Sequence, residues 1–306
     1  MTSDTTDPTV LVPEGDGSTP LPERTPAPTF DGQPARTAGG MTMPSIGLGT
    51  FRLDSGEAAE MVGAALELGY RHIDTAQGYG NEDGVGRALA ASPVDRSEVF
   101  VTTKVGNDNH EPRDLVASVE QSLEKLRMDF VDLLLIHWPV HYERMAATLE
   151  ALAQVQAGGK ARHLGVSNFT VTQLDQCQRF APLQVLQVEC HPFFQQAELR
   201  RWCHDHDWLF TAYSPVAQGA VLDDDVLAAI AGELSDGERS VNPAQVALAY
   251  LATLDGVVTI PRTSDADHLA ANWASRELTL SDEQVQRIAA LDQGRRVVDP
   301  DFAPWR

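Results

Sequence analysis

The stretch HIDTAQGYGNEDGVGRAL, residues 72–89, poses the question on which the fold turns. A short apolar run leads into glycines spaced G-x-G-x-x-x-G (Gly78, Gly80, Gly84), and a helix-period segment follows. A phosphate-cradling loop has this order of features, but Asp74 and Tyr79 point to a different chemistry. The nucleotide fingerprint of a doubly wound sheet needs G-x-G-x-x-G and an acidic residue about 20 positions on, after the next strand. Here the glycine spacing is one residue too long. The nearest acidic candidate, Asp95, comes before the next β-rich run, VFVTTKV (99–105). The loop is therefore read as one that places Tyr79 and then starts a helix at Asn81.

Outward from this loop one rhythm repeats: a short β-rich run, a turn, a helix-period segment. The runs are SIGLGT (45–50), RHIDT (71–75), VFVTTKV (99–105), VDLLLIH (131–137), RHLGVS (162–167), LQVEC (186–190), LFTAYS (209–214) and VVTI (257–260). Between them, segments such as GEAAEMVGAALELG repeat apolar residues at three- and four-residue spacing, as helices do. In NPAQVALAYLATL, Asn242 is placed to cap a helix and Pro243 to occupy its first turn. Most of the eight runs are apolar enough for burial on both faces. Their number and even spacing favour a closed parallel (β/α)8 barrel of the TIM type over an open doubly wound sheet. In such a barrel, chemistry belongs at the C-terminal ends of the strands.

Polar residues stand at those ends. Asp74 closes the second run, Lys104 lies at the end of the third, His137 closes the fourth, and Tyr79 follows the second. Taken singly, each has an ordinary reading as a turn residue, a solvated charge, a rim imidazole or a packing ring. Together they form a proton-donating set. A tyrosine near pKa 10 is a poor donor at neutral pH. An adjacent ammonium lowers that pKa, and a carboxylate behind the lysine keeps it charged. A histidine beside the phenol can align a carbonyl oxygen while hydride reaches carbon.

Composition narrows the alternatives. The net charge of −21 over 306 residues argues against nucleic-acid or anionic-membrane partners. No apolar run approaches the length of a membrane span. Cys177, Cys190 and Cys203 form no CxxC pair and are odd in number. This disfavours a disulfide framework or zinc site and makes a reducing cytoplasm the default. No His/Asp/Glu set has metal-ligand spacing. Residues 1–40 are rich in Thr, Pro, Gly and Asp and lack a signal-peptide pattern. They are read as a disordered tail, with Thr-Phe-Asp-Gly at 29–32 as the possible start of a small hairpin, and residues 41–306 as one barrel domain.

Quoted in order, MPSIGLGTF, GYRHIDTAQGYGNEDGVGRAL, VTTKV, DLLLIHWP, GVSNF, QVECHP, TAYSP and IPRTSDADHLAAN resemble the aldo-keto reductase superfamily over nearly the whole barrel. The closing RRVVDPDFAPW is similar to the tail of bacterial 2,5-diketo-D-gluconate reductases, which also reduce methylglyoxal. The resemblance implies NAD(P)H-dependent reduction of aldehydes or ketones by a tetrad of Asp74, Tyr79, Lys104 and His137, with Tyr79 as general acid. It implies cofactor contacts from Gly49, Thr50, Phe51, Ser167, Asn168, Gln187, Tyr213 and Ser214, and, at the adenosine end, from Arg262, Thr263, His268 and Asn272.

NADPH is the implied cofactor. His268 stands where arginine is common and Ala271 where an acidic residue often sits, so the preference over NADH is expected to be weakened. Phe51 and Trp138 are the implied apolar walls, and Gly106 replaces a pocket tryptophan. Arg295, Arg296 and Trp305 read equally as mouth or surface residues. The expected partner is a small carbonyl compound, small dicarbonyls or sugar-derived ketones first, and the expected state is a cytoplasmic monomer. A nucleotide-binding redox sensor or partner subunit without turnover is the alternative on the same fold.

Overall fold

A computed structural model describes residues 29–305 of the chain. The described chain opens with a three-stranded antiparallel sheet, β1 (Thr29–Phe30), β2 (Gln33–Ala38) and β3 (Met41–Pro44). Eight parallel strands follow: β4 (Leu48–Gly49), β5 (His72–Asp74), β6 (Phe100–Val105), β7 (Val131–Ile136), β8 (Ala161–Ser167), β9 (Leu183–Glu189), β10 (Leu209–Tyr213) and β11 (Val257–Thr259). Each hydrogen-bonds to its sequence neighbours. The segment around β4 meets β11 through Gly47 N–H to the Thr259 carbonyl (2.8 Å), Thr259 N–H to Ser45 (3.0 Å) and Gly49 N–H to Pro261 (3.0 Å), which closes the ring. All eight β-rich runs are strands of this barrel. Within 45–50 only Leu48–Gly49 is regular strand, because its neighbours bridge the seam.

Helices cover the outside: α1 (Ser55–Leu68), α2 (Glu82–Ala91), α3 (Pro112–Leu126), α4 (Met145–Ala157), α5 (Val171–Cys177), α6 (Ala197–Asp205), α7 (Asp225–Leu234), α8 (Pro243–Thr253), α9 (Ala266–Ala274) and α10 (Asp282–Ala289). Two of them, α7 and α8, separate β10 from β11. Strands such as VDLLLI are buried at every position, as expected when one face meets the barrel interior and the other the helices. Helix ends follow local rules. Asp54 and Glu57 form a capping box at α1, Asn242 and Gln245 another at α8 with Pro243 in its first turn, and Gly69 ends α1 at φ 110°.

The sequence boundary at residue 40 needs correction for residues 29–40. They pair in the antiparallel sheet, which closes the N-terminal end of the barrel. Met41 and Met43 of β3 pack with Phe100, Leu133, Leu135, Val185, Leu209 and Val258. The Gly39 N–H donates to Asp207, and the Gln184 amide donates to the Gly39 carbonyl, which tie the hairpin to the barrel floor. The hairpin suggested by Thr29–Gly32 is present. The disordered-tail reading of residues 1–28 lies outside the described residues. Among the described residues, no helix is long and apolar enough to cross a membrane.

The glycines of the opening stretch have a packing role in α2. A Cβ on Gly84 would overlap the Ser55 carbonyl of α1, and one on Gly86 would overlap the Lys125 carbonyl of α3. Their absent side chains let three helix backbones approach closely. Gly84→Ala is therefore expected to lower stability by roughly 1–3 kcal/mol, despite a helix-propensity gain of ~1 kcal/mol. Urea unfolding should show a lower midpoint at an unchanged m-value; an unchanged midpoint would contradict the close approach.

Candidate active site

Asp74 ends β5, Lys104 lies near the end of β6, and His137 directly follows β7, so three neighbouring strands deliver them to one end of the barrel. Tyr79 sits on a 3-10 turn, Gln77–Tyr79, that follows β5 and ends at Gly80 with φ 69°. The Lys104 ammonium donates to Asp74 Oδ1 at 2.5 Å, to the Thr75 carbonyl at 2.9 Å and to the Tyr79 hydroxyl at 3.2 Å. It also lies 4.9 Å from the Tyr79 ring centre. The lysine and aspartate side chains are 1% and 2% exposed, so this ion pair is almost wholly out of water. The structure brings all four sequence candidates together: the His137 and Tyr79 rings meet edge-on at 5.6 Å.

A buried ion pair is tolerated only where further hydrogen bonds compensate the lost hydration. Asp74 Oδ2 accepts from the Gln187 amide at 2.8 Å, and three donors of Lys104 are engaged. Burial pushes the Asp74 carboxyl up, and the Lys104 ammonium opposes this. For Lys104, burial alone would lower the pKa, but Asp74 and Tyr79 together hold it above its usual value. Burial raises the Tyr79 phenol, and the lysine only partly counters it. The expected downward pull of the ammonium is present, through its charge and its hydrogen bond, but it acts against a larger upward push from burial. His137 is pushed down to about 3, first by burial and then by Lys104, and so stands as a neutral imidazole. The set can deliver one proton from a phenol that an ammonium touches.

Several supporting residues were not singled out in the sequence. Gln77 donates to Ser118 and Ser122 of α3 and accepts from Gly106 N–H and the Asn109 amide, fixing the turn that carries Tyr79. Gln77 also borders the space above Gly106 where a pocket tryptophan was expected to be missing. Asn81 precedes α2 but makes no side-chain cap. It instead donates to the Thr50 and Leu53 carbonyls and accepts from Thr75, whose own carbonyl holds Lys104. A polar residue between two glycines and a helix start carries no local signal for such a role.

With Lys104 behind them, Asp74, Tyr79 and His137 form the floor of a cleft of about 1220 Å³. Its inner part is lined by Ser167, Asn168, Gln187 and Tyr213, its outer part by Arg262, Thr263, His268 and Asn272, and Gly49, Phe51, Trp138 and Ser214 lie along its walls. Thr50 is the exception among the expected contacts. It is fully buried, and both its N–H and its hydroxyl donate to the Asp74 carbonyl, so it acts behind the wall. Asn168 is engaged by its neighbours: its amide donates to the His137 carbonyl and Ser167, and its oxygen accepts from Tyr213. The Gln187 nitrogen is taken by Asp74, leaving its carbonyl and the Ser167 hydroxyl for a ligand.

At the other end, two Arg262 nitrogens donate to the Phe51 and Arg52 carbonyls. His268 is exposed, 3.9 Å from the Asp265 carboxylate. Ala271 and Asn272 complete that end. The mouth is apolar: Phe51 tilts against Tyr79 at 5.1 Å, and Trp138 meets Phe302 at 5.3 Å and Trp305 at 5.6 Å. The tail residues thus resolve in favour of the mouth for Trp305. Arg296 stacks 3.6 Å over its ring, while Arg295 lies over Phe193. Among the described residues no group of three or more His, Cys, Asp or Glu is placed to hold a metal ion.

Two imidazoles with strongly depressed pKa values have a thermodynamic consequence. His72, on β5, and His137 both have folded pKa values near 3 against an ordinary 6.5. A lowered histidine pKa means the unfolded chain binds more protons below pH 6.5. The stability these groups contribute is complete above that pH and is lost as pH falls toward 3. Each such group steepens the dependence by about 1.4 kcal/mol per pH unit. His137→Asn is expected to flatten the stability–pH curve between pH 6 and 4 (about one proton), measured by urea unfolding. Parallel curves for the two proteins would contradict a depressed His137.

Comparison with known proteins agrees with this geometry. A profile of the Aldo/keto reductase family matches residues 45–293. The chain is 38% identical over 266 residues to methylglyoxal reductase DkgB of Escherichia coli O157:H7, covering 85% of this chain and 97% of that protein. It is 40% identical over 261 residues to glyoxal reductase of Bacillus subtilis strain 168, covering 84% and 92%. A crystal structure assigned to a 2,5-diketo-D-gluconic acid reductase B superposes with a TM-score of 0.83 at 38% identity, over 88% of this chain and 95% of that one. With barrel, strand-end cluster and family profile in agreement, the chain is an oxidoreductase that belongs to the aldo/keto reductase family.

Proposed function

We propose that the protein reduces small aldehydes and ketones, dicarbonyls first, to alcohols with a nicotinamide dinucleotide, NADPH before NADH. The observation that carries this reading is the buried Lys104 ammonium held between the Asp74 carboxylate and the Tyr79 hydroxyl, both of which line a long cleft. The relatives' names, methylglyoxal reductase and glyoxal reductase, support the substrate class.

The residues along the cleft suit a dinucleotide. Tyr213 presents an aromatic ring at the inner end, next to the Ser167 hydroxyl and the Gln187 carbonyl, a donor and an acceptor for a carboxamide. Arg262 and Thr263 stand at the outer end, where a phosphate would meet them. When bound, the nicotinamide supplies hydride to the carbonyl carbon.

The protein's own residues handle the oxygen. Tyr79 gives its proton to the oxygen as negative charge develops there, and the phenolate left behind faces the Lys104 ammonium at hydrogen-bond distance. Asp74 keeps that ammonium charged and aimed, and Gln187 keeps Asp74 aimed. His137, neutral and edge-on to Tyr79, donates an N–H that orients the carbonyl. Phe51 beside Tyr79, and Trp138 with Phe302, give the mouth an apolar wall against which a small carbonyl compound would pack. A phenol with a raised pKa is a weaker acid in isolation, so the lysine contact matters most once negative charge develops.

Absorbance at the nicotinamide band with methylglyoxal and NADPH tests the reading. Tyr79→Phe is expected to lower kcat by roughly 10²–10⁴-fold while cofactor binding persists. A mutant as active as the parent would refute the proton role of Tyr79. The parent binding NADPH but turning over no carbonyl would favour a nucleotide-binding protein without reductase activity. At the adenosine end, the Asp265 carboxylate beside His268 opposes a phosphate there. His268→Arg is expected to raise the NADPH-over-NADH preference by about tenfold, one charge-assisted hydrogen bond. An unchanged ratio would place phosphate recognition elsewhere.

A further inference from the structure

Glu189 ends β9 and is completely buried, yet it makes no hydrogen bond to Asp74, Lys104 or Tyr79. Its two oxygens point to the C-terminal segment. Oε1 accepts the Val297 N–H at 2.5 Å and Oε2 the Val298 N–H at 3.0 Å, with His191 Nε2 3.0 Å from Oε1. A buried carboxylate is stable only with such donors, and bonds to a charged acceptor are the stronger kind. The segment it holds matters to the site. Val297, Val298 and Phe302 line the cleft, and Phe302 with Trp305 packs on Trp138.

Side-chain contacts place parts of the tail, Phe302 and Trp305 against Trp138 and Arg296 over Phe194, but they do not fix its backbone. Residues 292–305 contain no helix or strand, so no backbone ladder fixes their course. Upstream, Gln293 and Arg295 donate to the Phe193 carbonyl, and near the pin the Gln218 amide reaches the Val297 carbonyl at 3.4 Å. Glu189 reads backbone N–H groups, so it anchors the chain whatever side chains the tail presents to the cleft. It also pairs across the sheet with Tyr213, which links the tail anchor to the inner end of the cleft.

We propose that Glu189 is a positioning residue that docks the C-terminal segment as a wall of the substrate pocket, and so sets affinity for the carbonyl compound without acting in proton or hydride transfer. The proposal rests on the reading of the cleft as a carbonyl-reduction site. Glu189→Gln keeps size but sets an amide N–H₂ against a backbone N–H, removing at least one charge-assisted bond. Its expected effect is a KM for methylglyoxal raised by about tenfold, with kcat and the NADPH Kd within about twofold of the parent.

Hydrogen exchange read by mass spectrometry supplies a readout independent of turnover. Peptides covering 293–305 should lose protection in Glu189→Gln while those covering β5 to β8 keep theirs. Val298→Pro removes one donor from the tail side without touching the buried core. It should reproduce both effects, and the double variant should be no worse than the stronger single one, as for two ends of one interaction. Retained tail protection, an unchanged KM, a loss confined to kcat, or additive effects would each overturn the assignment. Should the parent reduce no carbonyl, the functional reading fails, while the exchange pattern still decides whether Glu189 holds the tail.

Discussion

The site depends on one buried ion pair, Lys104 with Asp74, held at the open end of the barrel. Two charges removed from water are expensive, and their mutual attraction compensates only if every remaining donor and acceptor is satisfied. That constraint accounts for much of the surrounding architecture. Gln187 comes from β9 to complete Asp74, the Thr75 carbonyl completes Lys104, and Tyr79 is brought within reach by a turn that Gln77 fastens to α3. Asn81 and Thr50 brace the same turn from beneath. The parallel barrel makes this possible because neighbouring strands end side by side, so that residues 30 positions apart meet with little freedom left.

The cleft joins two ends of different character. The inner end is polar, closely cross-bonded and mostly buried; the outer end is exposed, with His268 beside a carboxylate and Arg262 leaning on the carbonyls of Phe51 and Arg52. In the reading proposed above, chemistry belongs to the rigid end and cofactor preference to the open one. Phe51 belongs to both. Its ring faces Tyr79 and its carbonyl accepts from Arg262, so the outer cation and the substrate wall share a loop.

The barrel was legible in the sequence because eight apolar runs alternate with helix-period segments, a pattern few folds share. The four strand-end residues were legible because the register of such a barrel forces them together. Residues 29–40 were not: short strands built from Gln, Pro, Arg, Thr and Gly carry no apolar period, and their pairing is visible only once Met41 and Met43 are seen filling the barrel floor. The resemblance that implied a cofactor contact at Thr50 does not say which way its side chain faces, and here it turns inward to the Asp74 carbonyl. The protonation of Tyr79 depended on the balance between desolvation and an adjacent ammonium, a question of burial that sequence spacing leaves open. Glu189 carried no signal because its partners are backbone N–H groups more than a hundred residues away.

The charge state of the cluster is the central physical claim, and it can be observed in the protein without any cofactor. Carbon-13 labelling of the tyrosine ring, with the Tyr79 resonance assigned by its loss in Tyr79→Phe, reports phenol and phenolate directly by NMR. The expected result is a Tyr79 signal that remains a phenol throughout the neutral range and titrates above the ordinary value of 10. A phenolate signal already present near neutral pH would mean that the lysine overcomes burial, and would contradict a site built to hold its proton until charge develops on a substrate.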